Sequence, residues 1–355
     1  MKVLIITNEL LNTCGVSKHL LYFLNAMKAH PEIKFTILCG GGNSINRYSG
    51  LCEKIIVDNK FKHENRSYFN YVLALVKLFK LVLFNNYAII HTHNHYAANL
   101  SRIISRLFRI KTIQTCHGII PEKGRLSHFS ADYIIAVNEH IIKYLIENKI
   151  REKSGIRLIR YGLNKSSGKV KDRNSKLKIL CASRLVYEKG PDIFINAVQK
   201  LPESIIKQCD FLIAGEGDMK VKLLKMISDG HIEISYLEDI PDLREILSTT
   251  DIFILPSRSV SEGFPLSICE AGFEKNLVIT SNFLGLNSIF SENEDGIVFQ
   301  LGDEKNLAEK IIYSISNFEN LQQMINNFHN KCLKEFKLDL MIDKTINLYN
   351  NVIAN

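Results

Sequence analysis

"SEGFPLSICEAG", residues 261–272, decides how this chain is read. Glu262 and Glu270 stand eight apart, with a Gly-Phe-Pro-Leu turn between them. Just upstream, "DIFILPS" (251–257) is a short apolar run of strand type. Pro265 suits the opening of a helix, where its fixed φ is already helical and its missing N–H has no partner to lose. The segment therefore reads as strand, loop, helix. Glu262 falls in the loop, the amides of Phe264, Leu266 and Ser267 at the helix mouth, and Glu270 about one and a half turns inside. Free N–H groups at a helix mouth bind phosphate. One geometry then serves a sugar nucleotide, with the loop carboxylate toward the sugar and the inner carboxylate on the ribose diol.

The same unit recurs around this stretch. "CASRLVYEKGPD" (181–192) ends a strand with Arg184 and places Lys189 ahead of a helix opening at Pro191. Two cations by a helix N-terminus suit a diphosphate, and ordinary surface cations are the alternative. "AGEGDMKVKLL" (214–224) puts Gly215 and Gly217 between a strand and a helix, which serves close approach of a ligand or a tight βα turn. "IEISYL", "NLVITS" and "GIVFQL" complete the strands of this half. In the first half "KVLIIT" (2–7), "KFTILCG", "KIIVD", "YAIIHTH", "KTIQTCHG", "ADYIIAVN" and "IRLIRYG" read as strands. Helical patterns fall at 15–30 and around 70–85, 96–108 and 139–148. Strands separated by helices imply parallel sheets covered on both faces. The polar stretch 164–176 reads as the link between two domains, as 355 residues also lead one to expect.

Composition narrows the setting. The longest apolar-rich run, residues 70–90, is broken by Lys77 and Lys80, which argues against a membrane-spanning helix. "MKVLIITNEL" enters a strand at once, without the zones of a signal peptide. Eight scattered cysteines form no Cys-x-x-Cys pair, so neither a zinc site nor a disulfide framework is expected, and a reducing cytoplasm is. Residues 1–165 carry 24 Lys and Arg against 10 Asp and Glu, a net +14; residues 166–355 carry 21 against 27, a net −6. A basic first half points to a polyanion or an anionic membrane there, or to separately solvated basic faces. Helix-turn-helix, RNP and finger patterns are lacking, so nucleic acid is not an expected partner.

Taken in order, "SRLVYEKGPD", "GEGD", "DIFILPS" and the E-x7-E of Glu262 and Glu270 resemble the retaining glycosyltransferases of family four. "CGVSKHL", "HTHNH", "TCHGI", "ADYIIAVNEH" and "LIRYGLN" extend the resemblance over nearly the whole chain. It implies an α/β chain of GT-B architecture, two Rossmann-like domains with parallel sheets facing an interdomain cleft. Residues 1–165 would bind the acceptor and 166–337 the nucleotide-sugar donor, with a closing helix at about 338–355 returning to the first domain.

By the same resemblance Arg184 and Lys189 hold the donor diphosphate, Glu262 orients the sugar, Glu270 holds the ribose, and His117 faces the transferring sugar. Gly15, Gly215, Gly217, Phe264, Pro265, Leu266 and Ser267 fall on the donor side, His93 and Asn94 on the acceptor side. No cofactor is implied; the donor is a nucleoside-diphosphate sugar, UDP-linked. No metal is implied either, because the cations and the helix mouth neutralise the diphosphate. His91, His93 and His95 would share one face of a continuing strand, but no carboxylate follows at a usable spacing.

Three positions depart from the family pattern. Cys14-Gly15 stands for Gly-Gly, Tyr161-Gly162-Leu163-Asn164 for Asn-Gly-x-Asp, and Leu284-Gly285-Leu286-Asn287 lacks the glutamate that usually follows a Gly-Gly pair. A nucleotide-sugar 2-epimerase and a binding protein without catalysis are the rival readings. The expected acceptor is a glycan, free or lipid-linked, in surface polysaccharide or lipopolysaccharide assembly. Residues 69–84 and 101–111 suit a peripheral enzyme at an anionic inner leaflet, and a packed core helix is the alternative for 69–84.

Overall fold

A computed structural model describes residues 1–118, 129–164, 176–238, 240, 242–259 and 262–354. Of the expected link at 164–176, residues 165–175 therefore lie outside the described residues. The chain forms two compact units, Met1–Gly162 with Leu338–Asn355, and Leu163–Lys337.

Unit 1 holds strands β1 (Lys2–Ile6), β2 (Lys34–Cys39), β3 (Lys54–Val57), β4 (Ile89–Thr92), β5 (Lys111–Cys116), β6 (Tyr133–Ala136) and β7 (Ile156–Leu158). Its helices are α1 (Gly15–Ala26), α2 (Tyr68–Leu83), α3 (His95–Phe108) and α4 (Glu139–Glu147). The sheet is parallel, in the order β3-β2-β1-β4-β5-β6-β7. Val3, Leu4, Ile5 and Ile6 are all buried, as a strand covered on both faces demands. Helix α1 stops at Ala26 and tightens into a 3-10 turn, Met27–Ala29, rather than running on to residue 30.

Unit 2 holds β8 (Leu177–Ala182), β9 (Cys209–Ala214), β10 (Ile234–Leu237), β11 (Ile252–Leu255), β12 (Leu277–Ser281) and β13 (Ile297–Phe299). Its helices are α5 (Pro191–Val198), α6 (Glu203–Ile206), α7 (Lys220–Asp229), α8 (Leu243–Leu247), α9 (Leu266–Phe273), α10 (Glu304–Ser316) and α11 (Gln322–Glu335). This sheet is also parallel, in the order β10-β9-β8-β11-β12-β13. The last helix, α12 (Leu338–Ala354), follows unit 2 in sequence but belongs to unit 1. Its Met341, Ile342, Leu348, Tyr349 and Val352 share a core with Leu20, Phe23 and Leu24 of α1.

In each sheet the strand order reverses beside the first strand, between β1 and β4 and between β8 and β11. Loops at the carboxyl ends of such neighbours diverge and leave a crevice where α/β proteins bind ligands. The loops after β8 and β11 carry Arg184, Lys189 and Glu262.

Candidate active site

The loop leaving β8 is stitched to the turn leaving β9. Leu185 N donates to the Glu216 carbonyl at 2.8 Å, and Met219 N to the Leu185 carbonyl at 2.9 Å. Gly215 and Gly217 have φ of +131° and +156°, and a Cβ on either would run into the carbonyl of Ser183 or Leu185. Packing of the loop that carries Arg184 accounts for both glycines. Arg184 itself is exposed and forms no ion pair among the described residues.

Lys189 and Glu262 sit on neighbouring loops. The Lys189 ammonium donates to both Glu262 oxygens, at 2.7 and 2.8 Å, and Ser257 Oγ donates to Oε1 at 2.6 Å. Expected on diphosphate and on sugar respectively, the two residues are bound to each other. Both are mostly withdrawn from water, and opposite charges there compensate one another. The Glu188 carbonyl draws the loops together by accepting from Arg258 N (2.8 Å) and Ser259 N (3.1 Å). Arg258 forks onto Asp192 at 2.6 and 2.9 Å and lies over the Tyr187 ring. Burial pushes the Asp192 carboxyl up, but the hydrogen bonds and charge of Arg258 outweigh it and hold the group below its usual range.

Helix α9 opens at Leu266 with Pro265 as its cap. The Phe264 ring anchors that mouth edge-on against Phe336, centroids 5.4 Å apart. Phe264, Pro265 and Leu266 are buried, while Ser267 is half-buried. Glu270 is 1% exposed. One turn further, Glu274 accepts from Arg244 Nε and Nη2 at 3.0 and 2.7 Å, tying α9 to α8.

At the switch point of unit 1 the structure corrects the strand reading of "HTHNH". Strand β4 ends at Thr92, because Asn94 caps α3 by accepting from Ala97 N at 2.7 Å. His95 therefore opens a helix, with Nδ1 2.9 Å from Gln114 Nε2, and does not share a strand face with His91 and His93. Those two rings lie 4.5 Å apart. His91 is bonded to Tyr349 Oη (2.7 Å) and Thr115 Oγ1 (2.8 Å). Among the described residues no three His, Cys, Asp or Glu side chains are grouped as a metal would need.

His117 has both ring nitrogens engaged, Nε2 with His93 Nδ1 at 2.9 Å and Nδ1 with the Tyr161 hydroxyl. The nitrogen left over is His93 Nε2, buried and without a hydrogen-bond partner among the described residues. The His19 ring stacks on Tyr161, centroids 4.2 Å apart. Burial drives the pKa of His19 and His91 down to about 3, and those of His93 and His117 well below the ordinary range. The cluster is therefore neutral. Gly15 opens α1, and a Cβ there would meet nothing within 4 Å.

Two family descriptions cover the chain almost end to end: Glycosyltransferase Family 4 over residues 13–166 and Glycosyl transferases group 1 over 164–331. The chain belongs to glycosyltransferase family 4. This family 4 glycosyltransferase is an enzyme of the hexosyltransferase type, and the epimerase and binding-only readings give way. It is 26% identical over 315 residues to the Escherichia coli UDP-Gal:alpha-D-GlcNAc-diphosphoundecaprenol alpha-1,3-galactosyltransferase, covering 79% of this chain and 80% of that one. A solved glycosyltransferase from Rickettsia africae superposes with a TM-score of 0.82 at 20% identity, over 100% of this chain and 99% of its own. Anabaena HepE in complex with UDP-glucose gives 0.81 at 15% identity, over 99% and 100%. These likenesses establish the GT-B class of fold.

Sequence reasoning on this family 4 glycosyltransferase missed Asp192, Ser257 and Arg258, which lock the loops after β8 and β11 together, and His19 beside Tyr161. Only Tyr161 left a signal, as a departure from the family's asparagine.

Proposed function

We propose that this enzyme moves a hexose from a UDP-sugar to a hydroxyl of a glycan carried on a lipid diphosphate, retaining the anomeric configuration, in surface polysaccharide or lipopolysaccharide assembly at the cytoplasmic face of the membrane. The observation that carries the reading is the convergence of Arg184, the Lys189–Glu262 pair and the mouth of α9 at the switch point of unit 2. The Escherichia coli relative, whose name gives a UDP-galactose donor and a diphosphoundecaprenol acceptor, supports the choice of both substrates.

Arg184, exposed and with no ion pair among the described residues, forks onto the diphosphate, and the first-turn amides of α9 take a phosphate oxygen. Lys189 turns part of its charge to the same phosphates. Glu262, fixed by Lys189 and Ser257, offers an oxygen to the sugar hydroxyls, and Glu270 serves the ribose. The bond from the anomeric carbon to the diphosphate breaks as the acceptor oxygen bonds to the same face. The acceptor's proton passes to the leaving diphosphate, so no side-chain nucleophile is required. The protein's share is positioning and stabilising the departing charge. In unit 1, His117 holds His93, whose Nε2 is assigned to a substrate hydroxyl.

The test is proton NMR of UDP-hexoses incubated with the enzyme and a short-chain lipid diphosphate bearing N-acetylglucosamine. UDP release with an axial glycosidic linkage formed from an axial donor is expected. An equatorial product rejects retention, and an epimerised nucleotide sugar rejects transfer.

A further inference from the structure

We propose that the outer face of α2 and α3 is a docking surface for an anionic lipid bilayer. Helix α2 is apolar on two sides. Ala74, Leu78 and Val82 are buried in the core of unit 1. On the other side Tyr68, Phe69, Val72, Val76, Phe79 and Leu83 are exposed, and Phe84 continues the stripe past the helix end. Exposure reaches 87% at Tyr68, 70% at Phe69 and 78% at Phe84, where a helix facing water carries charged or polar residues. The stripe runs the length of α2, about 24 Å at helical rise. Phe79 packs on Phe108 of α3, centroids 5.2 Å apart, and Leu107 of α3, 65% exposed, widens the patch.

Charge selects the partner. Residues 65–121 contain no Asp or Glu. Lys77, Lys80, Arg102, Arg106 and Arg109 are exposed on or beside the two helices, and none forms an ion pair among the described residues. A solvated protein face mixes both signs; two helices that carry cations and no carboxylate beside an apolar stripe fit anionic headgroups over acyl chains. A second copy of the chain would set these cations against each other. A nucleic acid would use the cations and leave Val72, Val76 and Leu83 of the stripe in water. Among the described residues no helix is long and apolar enough to cross a bilayer, so the contact lies along the surface.

The surface stands independently of the sugar-transfer reading, and its test measures no catalysis. The full chain is sedimented with vesicles of phosphatidylcholine alone or mixed equally with phosphatidylglycerol. Binding to the mixed vesicles should be roughly tenfold or more the stronger and should weaken with salt. Phe69→Ser with Val72→Ser and Val76→Ser should abolish it, as should Lys77→Glu with Lys80→Glu and Arg106→Glu. Melting curves confirm that the variants fold; if the serine variant does not, the charge variant decides. Equal binding by wild type to both vesicle types, or variants that bind like wild type, overturns the proposal. A wild-type dimer that the serine changes split, with vesicle binding intact, would give the face to a second copy instead.

Discussion

Lys189 and Glu262 are joined by two hydrogen bonds of 2.7 and 2.8 Å across two loops that follow different strands of one sheet. The pair fixes the carboxylate proposed to orient the sugar. It also occupies the ammonium proposed to meet the diphosphate, so donor binding competes with a contact already made.

Removing one member leaves the other charged and partly buried. Lys189→Met should cost about 1–3 kcal/mol of stability, and the double variant with Glu262→Gln should cost less than the two single losses added together. Urea denaturation of the four proteins measures this coupling. Strictly additive losses would mean that the pair contributes nothing. Transfer by Lys189→Ala should fall roughly ten- to hundredfold, the worth of a charged hydrogen bond.

The buried imidazoles give stability a direction in pH. His19 and His91 have pKa values near 3 when folded, against 6.5 in an unfolded chain. Between those values the unfolded chain binds the extra protons, so acid favours unfolding. The contribution is complete above pH 6.5 and is lost as pH falls toward 3, at up to ~1.4 kcal/mol per pH unit for each group. Calorimetry at pH 7.5 and 5 should show a marked fall in melting temperature. His19→Phe keeps the stack on Tyr161, removes an Nδ1 that has no partner among the described residues, and should make the fall shallower. An unchanged pH slope would show that His19 titrates normally.

Tyr161 replaces the asparagine of the family pattern and bonds His117. Tyr161→Phe keeps the ring and removes the hydroxyl. Turnover should drop while UDP affinity holds, and the nitrogen-15 shifts of the His117 ring should move. Ring shifts identical to wild type would deny Tyr161 a hold on His117.

Much of the fold was legible because strands buried on both faces read as unbroken apolar runs, as "KVLII" and "DIFIL" do. The opening of α9 was legible from Pro265. What was not legible is which loops meet. Lys189 and Glu262 are 73 residues apart, Asp192 and Arg258 66, and only the adjacency of β8 and β11 joins them. Alternation in "HTHNH" misled because the Asn94 cap ends the strand first. Helix α2 has apolar residues on both faces, and periodicity does not say which face the core covers.

Turnover should be unaffected by EDTA, because Arg184, Lys189 and the α9 amides are proposed to neutralise the diphosphate. Loss of activity on chelation, with recovery on adding a divalent ion, would reject that assignment.

The two glutamates should separate in their response to UDP alone. Glu270 is assigned to the ribose, so Glu270→Ala should weaken UDP by roughly ten- to hundredfold, the worth of a charged hydrogen bond. Glu270 is buried, and Glu270→Gln, which keeps its volume, distinguishes a lost ribose contact from a collapsed helix. Glu262→Ala acts differently. UDP lacks the sugar this carboxylate orients, and the change releases the Lys189 ammonium from its partner. UDP affinity should therefore hold or rise while transfer falls. Titration calorimetry with UDP decides: equal losses in Glu262→Ala and Glu270→Ala would abolish the division of roles. Full retention in both would leave Glu270 as a buried carboxylate that only supports α9.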